Sequence, residues 1–159
     1  AGARVRAEGA RLRALGLRPT LFCGGGWYTD LEVAEACAEL GYADCTPRAS
    51  RPRYLASGEP WAALAVPARV RLPSGRTLLA IPTTHSLGDL ARALAHRSLP
   101  ELVHLYLHDT DLLDARRRAL LALLLPLLAR WAAVSDLGEL VRRLEPAAPE
   151  VAWADIARH

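Results

Sequence analysis

The sequence contains no lysine, methionine, asparagine or glutamine, and isoleucine occurs only at Ile81 and Ile156. Its positive charge therefore rests on arginine: 20 basic side chains face 17 acidic ones, for a formal net charge of +3 and a pI of about 9.1. Such skewed usage suggests a GC-rich coding sequence, so the arginines are not read one by one as phosphate clamps. They are interspersed with acids, whereas a basic stripe is the electrostatic footprint of nucleic-acid binding; no nucleic-acid partner is expected. Cysteine is scarce. Cys23, Cys37 and Cys45 make an odd number with no regular framework, which argues against a disulfide-stapled secreted module and leaves buried thiols as the reading. Long apolar runs are also lacking. The longest, Ala119 to Ala129, is flanked by Arg118 and Arg130 and interrupted by Pro126, and it falls well short of the ~20 residues a membrane span requires. No membrane span is expected; this run reads as a buried helix.

What is present suits one folded domain. Hydrophobic residues make up 52% of the 159 positions, enough for a real core. No methionine opens the sequence, and the first fifteen residues already read as a helix in progress. The chain is therefore expected to begin inside a longer protein or to have been processed. Any targeting segment would lie upstream, so a cytoplasmic or a cell-envelope location both remain open.

The pattern alternates strand and helix. A helix over about residues 3–15 is closed by Gly16 and Pro19. A short apolar strand, 20–23, runs into "GGGWY". A helix over 30–40 follows, with Thr29 and Glu32 as a capping box and Gly41 as its stop, then a weak strand at 42–45. The proline-rich stretch 46–65 reads as a long loop. "ARVRL" and "RTLLAI" around "PSG" signal a β-hairpin. Ser86 with Asp89 caps a helix over 87–97. "ELVHLYL", 101–107, reads as a strand; Asp111 caps a helix over 112–130 that Pro126 kinks or breaks. "AAV", 132–134, reads as a short strand, Ser135 caps a helix over 136–144, and residues 146–159 form a peripheral tail. Such alternation points to an α/β fold with mostly parallel strands, in which functional loops lie at the carboxyl ends of strands. Two places are singled out: "GGGWYTD" after the 20–23 strand and "HDTD" after the 101–107 strand.

Alternate residues of a strand share a face, so His104, Tyr106 and His108 point one way and Val103, Leu105 and Leu107 the other. His108 comes last, where an imidazole exchanges protons near neutral pH. Asp109 or Asp111 nearby would favour its charged form, the form a general acid needs; the alternative is a histidine that merely ends a strand. His104 and His108 have the spacing of metal ligands on a helix, but on a strand their Cα atoms would lie roughly 13 Å apart and could not share one ion. His85 is a second histidine at a strand end, and Cys23 is a candidate thiol nucleophile. The Gly24–Gly26 loop lacks the lysine and spacing of a phosphate cradle. Its glycines allow a sharp turn and keep a groove open. Trp27 and Tyr28 beside it either stack on the apolar face of a sugar or close the rim of the fold.

"LRPTLFCGGGWYTDLEVAEACAELGYADCT", then "LLAIPTT", "VHLYLHDTDLLD" and "VSDLGELVRRL", taken in order over about residues 5–145, resemble the C-terminal part of polysaccharide deacetylases, the NodB-homology domain of carbohydrate esterase family four. The resemblance implies an incomplete or irregular (β/α) barrel with an inserted β-hairpin over 1–145. It implies metal-assisted hydrolysis of N-acetyl groups on amino-sugar polymers, with a carbohydrate polymer or oligosaccharide as partner. In the family a divalent metal, often zinc, is held by an aspartate and two histidines, and a second aspartate activates water. Those motifs normally precede the region where this sequence begins, so no fully ligated metal is expected from this chain. "LYLHD" matches the motif that carries the family's catalytic acid. It assigns His108 as acid beside Asp109, and Leu107 as a wall for the acetyl methyl. The loop containing Gly25, Gly26, Trp27 and Tyr28 matches the motif that shapes the substrate groove, with Cys23 where an arginine usually stands. The chain is expected to be either part of a hydrolase or a non-catalytic carbohydrate-binding or scaffold domain derived from that fold.

Overall fold

The structure, a computed structural model, describes residues 1–130 and 132–159. It is a mixed α/β fold whose central sheet is mostly parallel. The chain forms two compact units, one of Ala1–Pro82 with Leu137–His159 and one of Thr83–Asp136.

The first unit opens with α1 (Gly2–Ala14), β1 (Leu21–Phe22) and α2 (Leu31–Leu40). Asp30, not Thr29, caps α2: its Oδ1 accepts the Val33 N–H at 2.8 Å. Thr29 is instead buried, its amide donating to the Pro60 carbonyl at 3.3 Å. Both residues can cap, and tertiary packing selects between them. Gly41 ends α2 in the left-handed conformation, φ 72°, which glycine adopts without a Cβ penalty. Residues β2 (Ala43–Asp44), β3 (Trp61–Ala62), β4 (Ala68–Arg71) and β5 (Thr77–Ala80) follow. The expected hairpin is present: β4 and β5 pair antiparallel, Val70 opposite Leu78, across a turn in which Gly75 has φ 85°. Burial alternates along β4, as a strand with one face on the core requires.

After the second unit the chain returns with α6 (Leu137–Leu144), β6 (Glu150–Ala152), α7 (Trp153–Ile156) and β7 (Ala157–Arg158). The tail region thus supplies sheet: β6 runs parallel to β4 with Val151 opposite Val70, and β7 pairs antiparallel with β3. The five-stranded order is β1-β2-β5-β4-β6. Its core gathers Val33, Cys37, Val70, Leu72, Leu78 and Ile156 with several alanines.

The second unit holds α3 (Leu87–Ala95), α4 (Asp109–Leu113) and α5 (Ala115–Leu128). Ser86 and Asp89 form the expected capping box: Ser86 Oγ accepts the Asp89 N–H and Asp89 Oδ2 accepts the Ser86 N–H, at 3.2 and 3.1 Å. Three expectations are corrected here. Residues 101–107 form no strand; one isolated bridge, His85 to Leu105, is all the pairing they make in the described residues. The helix expected over 112–130 is divided at Asp114, whose Oδ1 caps α5 by accepting the Arg116 and Arg117 N–H groups, while Pro126 is accommodated inside α5. Residues 132–134 are not a strand. Both segments are apolar, but a strand exists only where a neighbour accepts its ladder; residues 103, 105 and 107 pack on helices instead, and Ala132 to Val134 are exposed. Leu87, Leu90 and Leu124 form the buried cluster, and Val103, Leu105 and Leu107 pack against it. The predicted alternation of side chains thus survives without the ladder.

Candidate functional site

In the first unit the parallel strands β1 and β2 end side by side, and the loops that leave them interlock. The Cys45 N–H donates to the Phe22 carbonyl at 2.7 Å, and the Gly24 N–H donates to Thr46 Oγ1 at 2.7 Å. Gly25 to Trp27 then make a single 3-10 turn, which requires φ 63° at Gly26 and φ 62° at Trp27. For tryptophan that is an uncommon conformation, held by burial of the ring, which is 8% exposed. The Arg48 guanidinium lies 4.6 Å from the centre of the Trp27 ring, within cation–π range. Tyr54 stacks on the same ring, 6.3 Å between centroids and 19° from parallel. Tyr28 is half-buried, and its hydroxyl donates to Asp30 Oδ2 at 2.6 Å; that bond pushes the phenol up to about 12. Gly25 and Gly26 are exposed.

Beneath this loop lies Asp44, 1% exposed at the end of β2. Burial raises its carboxyl to about 6, against the opposing hydrogen bonds from Thr46, whose N–H reaches Oδ1 at 2.8 Å. Cys23 is exposed, yet desolvation by the surrounding protein pushes its thiol up to about 11, with Asp44 adding to the shift and Arg48 opposing it. A thiol nucleophile acts as thiolate, and this environment disfavours that form. A cavity of about 850 Å³ opens beside the loop. Val5 and Leu12 of α1, Leu21 and Phe22 of β1, and Tyr42 wall it, with Gly24, Gly25 and Tyr28 in its lining.

The second unit carries the other predicted residues. His108 is exposed and ends the extended segment where α4 begins. Its backbone N–H donates to Asp111 Oδ2 at 3.0 Å, and Asp111 Oδ1 pairs with the Arg117 guanidinium. The His108 N–H first, then Arg117, hold the Asp111 carboxyl below the usual range. Asp111 therefore fixes the backbone at His108 and starts α4, instead of capping the longer helix. The Tyr106 and His108 rings meet edge to face, 5.9 Å apart at 84°, as expected for residues on one side of an extended segment. Asp109 is exposed and accepts the Thr110 N–H at 2.8 Å. Leu107 is half-buried against the leucine cluster. His85 Nδ1 lies 2.8 Å from Thr84 Oγ1.

Among the described residues no three histidine, cysteine, aspartate or glutamate side chains come together as a metal-ligand set. The donors present do not fit the divalent ion that the family resemblance implies, and no chemical step is routed through one here. Nor is any helix among the described residues long and apolar enough to cross a membrane. No protein-family model, no curated protein and no solved structure matches the chain.

Sequence reasoning missed Tyr54 and Arg48 as parts of this region and assigned Asp44 no role there. The first two lie in a proline-rich stretch with no periodicity, and Asp44 stands in a weak strand. The signal available was positional: Asp44 falls at the carboxyl end of a strand flanked by parallel neighbours.

Proposed function

We propose that the chain is part of a polysaccharide-deacetylase-like hydrolase, its sheet belonging to an irregular (β/α) barrel, which removes N-acetyl groups from amino-sugar polymers. The observation that carries this reading is His108: an exposed imidazole on a backbone anchored by a buried carboxylate, at the start of a helix. The main chain at His108 is held by Asp111, itself paired with Arg117, and the ring is open to solvent. In this reading a water adds to the amide carbon, forming the new C–O bond and losing a proton to solvent, and the protonated imidazole hands its proton to the nitrogen as the C–N bond breaks; the sugar leaves as a neutral amine and the acetic acid loses its remaining proton to give acetate. Asp109 follows it in the chain, and in the first unit the exposed Gly25 and Gly26 with Tyr28 are the part of the glycine loop read as contacting a glycan.

A second reading, a non-catalytic carbohydrate-binding domain, is favoured by the stacked Trp27–Tyr54 pair, which serves recognition whether or not hydrolysis follows. One experiment separates them. Acetate release and binding are measured on β-1,4-linked N-acetylglucosamine oligomers and on peptidoglycan glycan strands, with and without added zinc. The hydrolase reading expects release by a longer protein that also carries the family's upstream aspartate and histidine motifs, falling by about 10²–10⁴ in His108→Ala with saccharide affinity retained. Binding without release by that longer protein leaves the second reading and removes the first; neither binding nor release removes both.

A further inference from the structure

We propose that Tyr54 is a stacking platform for a pyranose ring, a substrate contact outside the glycine loop. This inference rests on the reading of the chain as a saccharide-recognising domain and names the ring that does the recognising. Tyr54 is 81% exposed, far more than an aromatic residue requires to lie on a surface. The turn that carries it is nonetheless tightly held. Pro52 and Leu55 on either side are buried, and the Leu55 N–H donates to the Pro52 carbonyl at 3.3 Å. The Arg51 guanidinium donates to the carbonyls of Leu55 and Ala56 at 3.1 and 2.5 Å. Glu59 Oε2 accepts the Ala56 N–H at 3.1 Å. The loop thus spends its hydrophobic and polar groups on its own rigidity and leaves one aromatic ring outside.

That ring is oriented as well as exposed, lying 19° from parallel to the buried Trp27 ring at 6.3 Å. Trp27 in turn is covered by Arg48 and rooted in the loop at the carboxyl end of β1. The pair reads as a two-step surface, with a fixed tryptophan supporting a projecting tyrosine. A flat, amphipathic ring with few rotatable bonds gives large contact area at low ordering cost. Its natural complement is a ligand with a flat apolar face and a polar edge. The axial C–H face of a β-linked pyranose is such a surface, and its equatorial hydroxyl and acetamido groups stay in water. The geometry points to a β-linked pyranose, and the reading above supplies the amino-sugar polymer as its source.

The test is equilibrium binding of an N-acetylglucosamine tetramer to the 159-residue chain, read by calorimetry. Tyr54→Ala is expected to weaken binding about tenfold, Tyr54→Phe and Tyr54→Trp to hold it within about threefold, and Val66→Ala, an exposed apolar change elsewhere in the same unit, to leave it unaltered. Circular dichroism melting should be unchanged in Tyr54→Ala, since the ring is mostly outside. Binding by the unaltered chain with the same affinity in Tyr54→Ala would overturn the platform while leaving the saccharide reading intact. No binding of the tetramer or of peptidoglycan glycan by the unaltered chain would overturn both.

Discussion

Asp44 shows how one residue can report on its surroundings. Its carboxyl moves from an ordinary value of 3.8 to about 6 because burial penalises the charge. A folded-state value above the unfolded one means the folded protein binds the proton more tightly. The contribution of Asp44 to stability is then greatest below pH ~4, falls as pH rises between ~4 and ~6, and stays at the lower level above. The span corresponds to roughly 3 kcal/mol as an upper figure. Asp44→Asn keeps the shape and removes the titration. The difference in unfolding free energy between the two proteins, from urea titrations at pH 4 to 8, is expected to move in favour of the variant by up to that amount and then level off. A flat difference curve would mean that Asp44 keeps an ordinary value. Gly24 makes a steric prediction. A Cβ there would sit 2.3 Å from the Tyr28 carbonyl oxygen, a backbone atom that moves only if the turn opens. Gly24→Ala should lower the melting temperature and loosen Trp27, seen as a red shift in tryptophan emission. Gly25→Ala, which meets nothing within 4 Å, should leave both nearly unchanged.

At the scale of elements, local capping chemistry was legible where one candidate stood alone and ambiguous where two adjoined. Ser86 with Asp89 forms the box as read, while the rival Thr84 two residues earlier gives its hydroxyl to the His104 carbonyl. Thr29 and Asp30 are neighbours, and the structure buries Thr29 and leaves Asp30 Oδ1 to accept the Val33 N–H. Asp111 and Asp114 posed the same problem three residues apart, and the chain uses both, one for α4 and one for α5. Capping by Asp114 is worth about 1 kcal/mol, so Asp114→Ala should destabilise α5 by that amount in urea unfolding followed at 222 nm, whereas Asp114→Ser should recover most of it. The strand expected at 101–107 failed for a different reason. Alternate packing is a property of any extended chain lying on a hydrophobic surface, and Val103, Leu105 and Leu107 pack in that way against the leucine cluster of α3 and α5. A ladder also needs a neighbouring strand of matching length, which cannot be seen in the segment itself. For the candidate site, His108 and the glycine loop were legible because each follows an apolar run. Arg48 and Tyr54 were not, because they are brought to Trp27 by a loop whose path is set by prolines and by Arg51.

For the whole molecule, the alternation of strand and helix was enough to indicate an α/β fold, but not the division of labour between two compact units. The first unit closes around a sheet whose last strands come from residues 150–158, so its core joins both ends of the sequence. The second has a much smaller buried cluster among the described residues, Leu87, Leu90 and Leu124, supported by partly buried leucines. Stability of roughly 0.05–0.15 kcal/mol per residue gives a unit of that length only a few kcal/mol of its own. Leu90 is fully buried, and truncating such a leucine costs about 2–5 kcal/mol. Leu90→Ala should therefore unfold α3 and α5 at low urea while the sheet persists, producing two transitions. Amide exchange would show it directly: protection lost in Leu87–Ala95 and Ala115–Leu128, and kept in Ala68–Arg71 and Thr77–Ala80. A single transition with both regions losing protection together would show that the two units fold as one cooperative body.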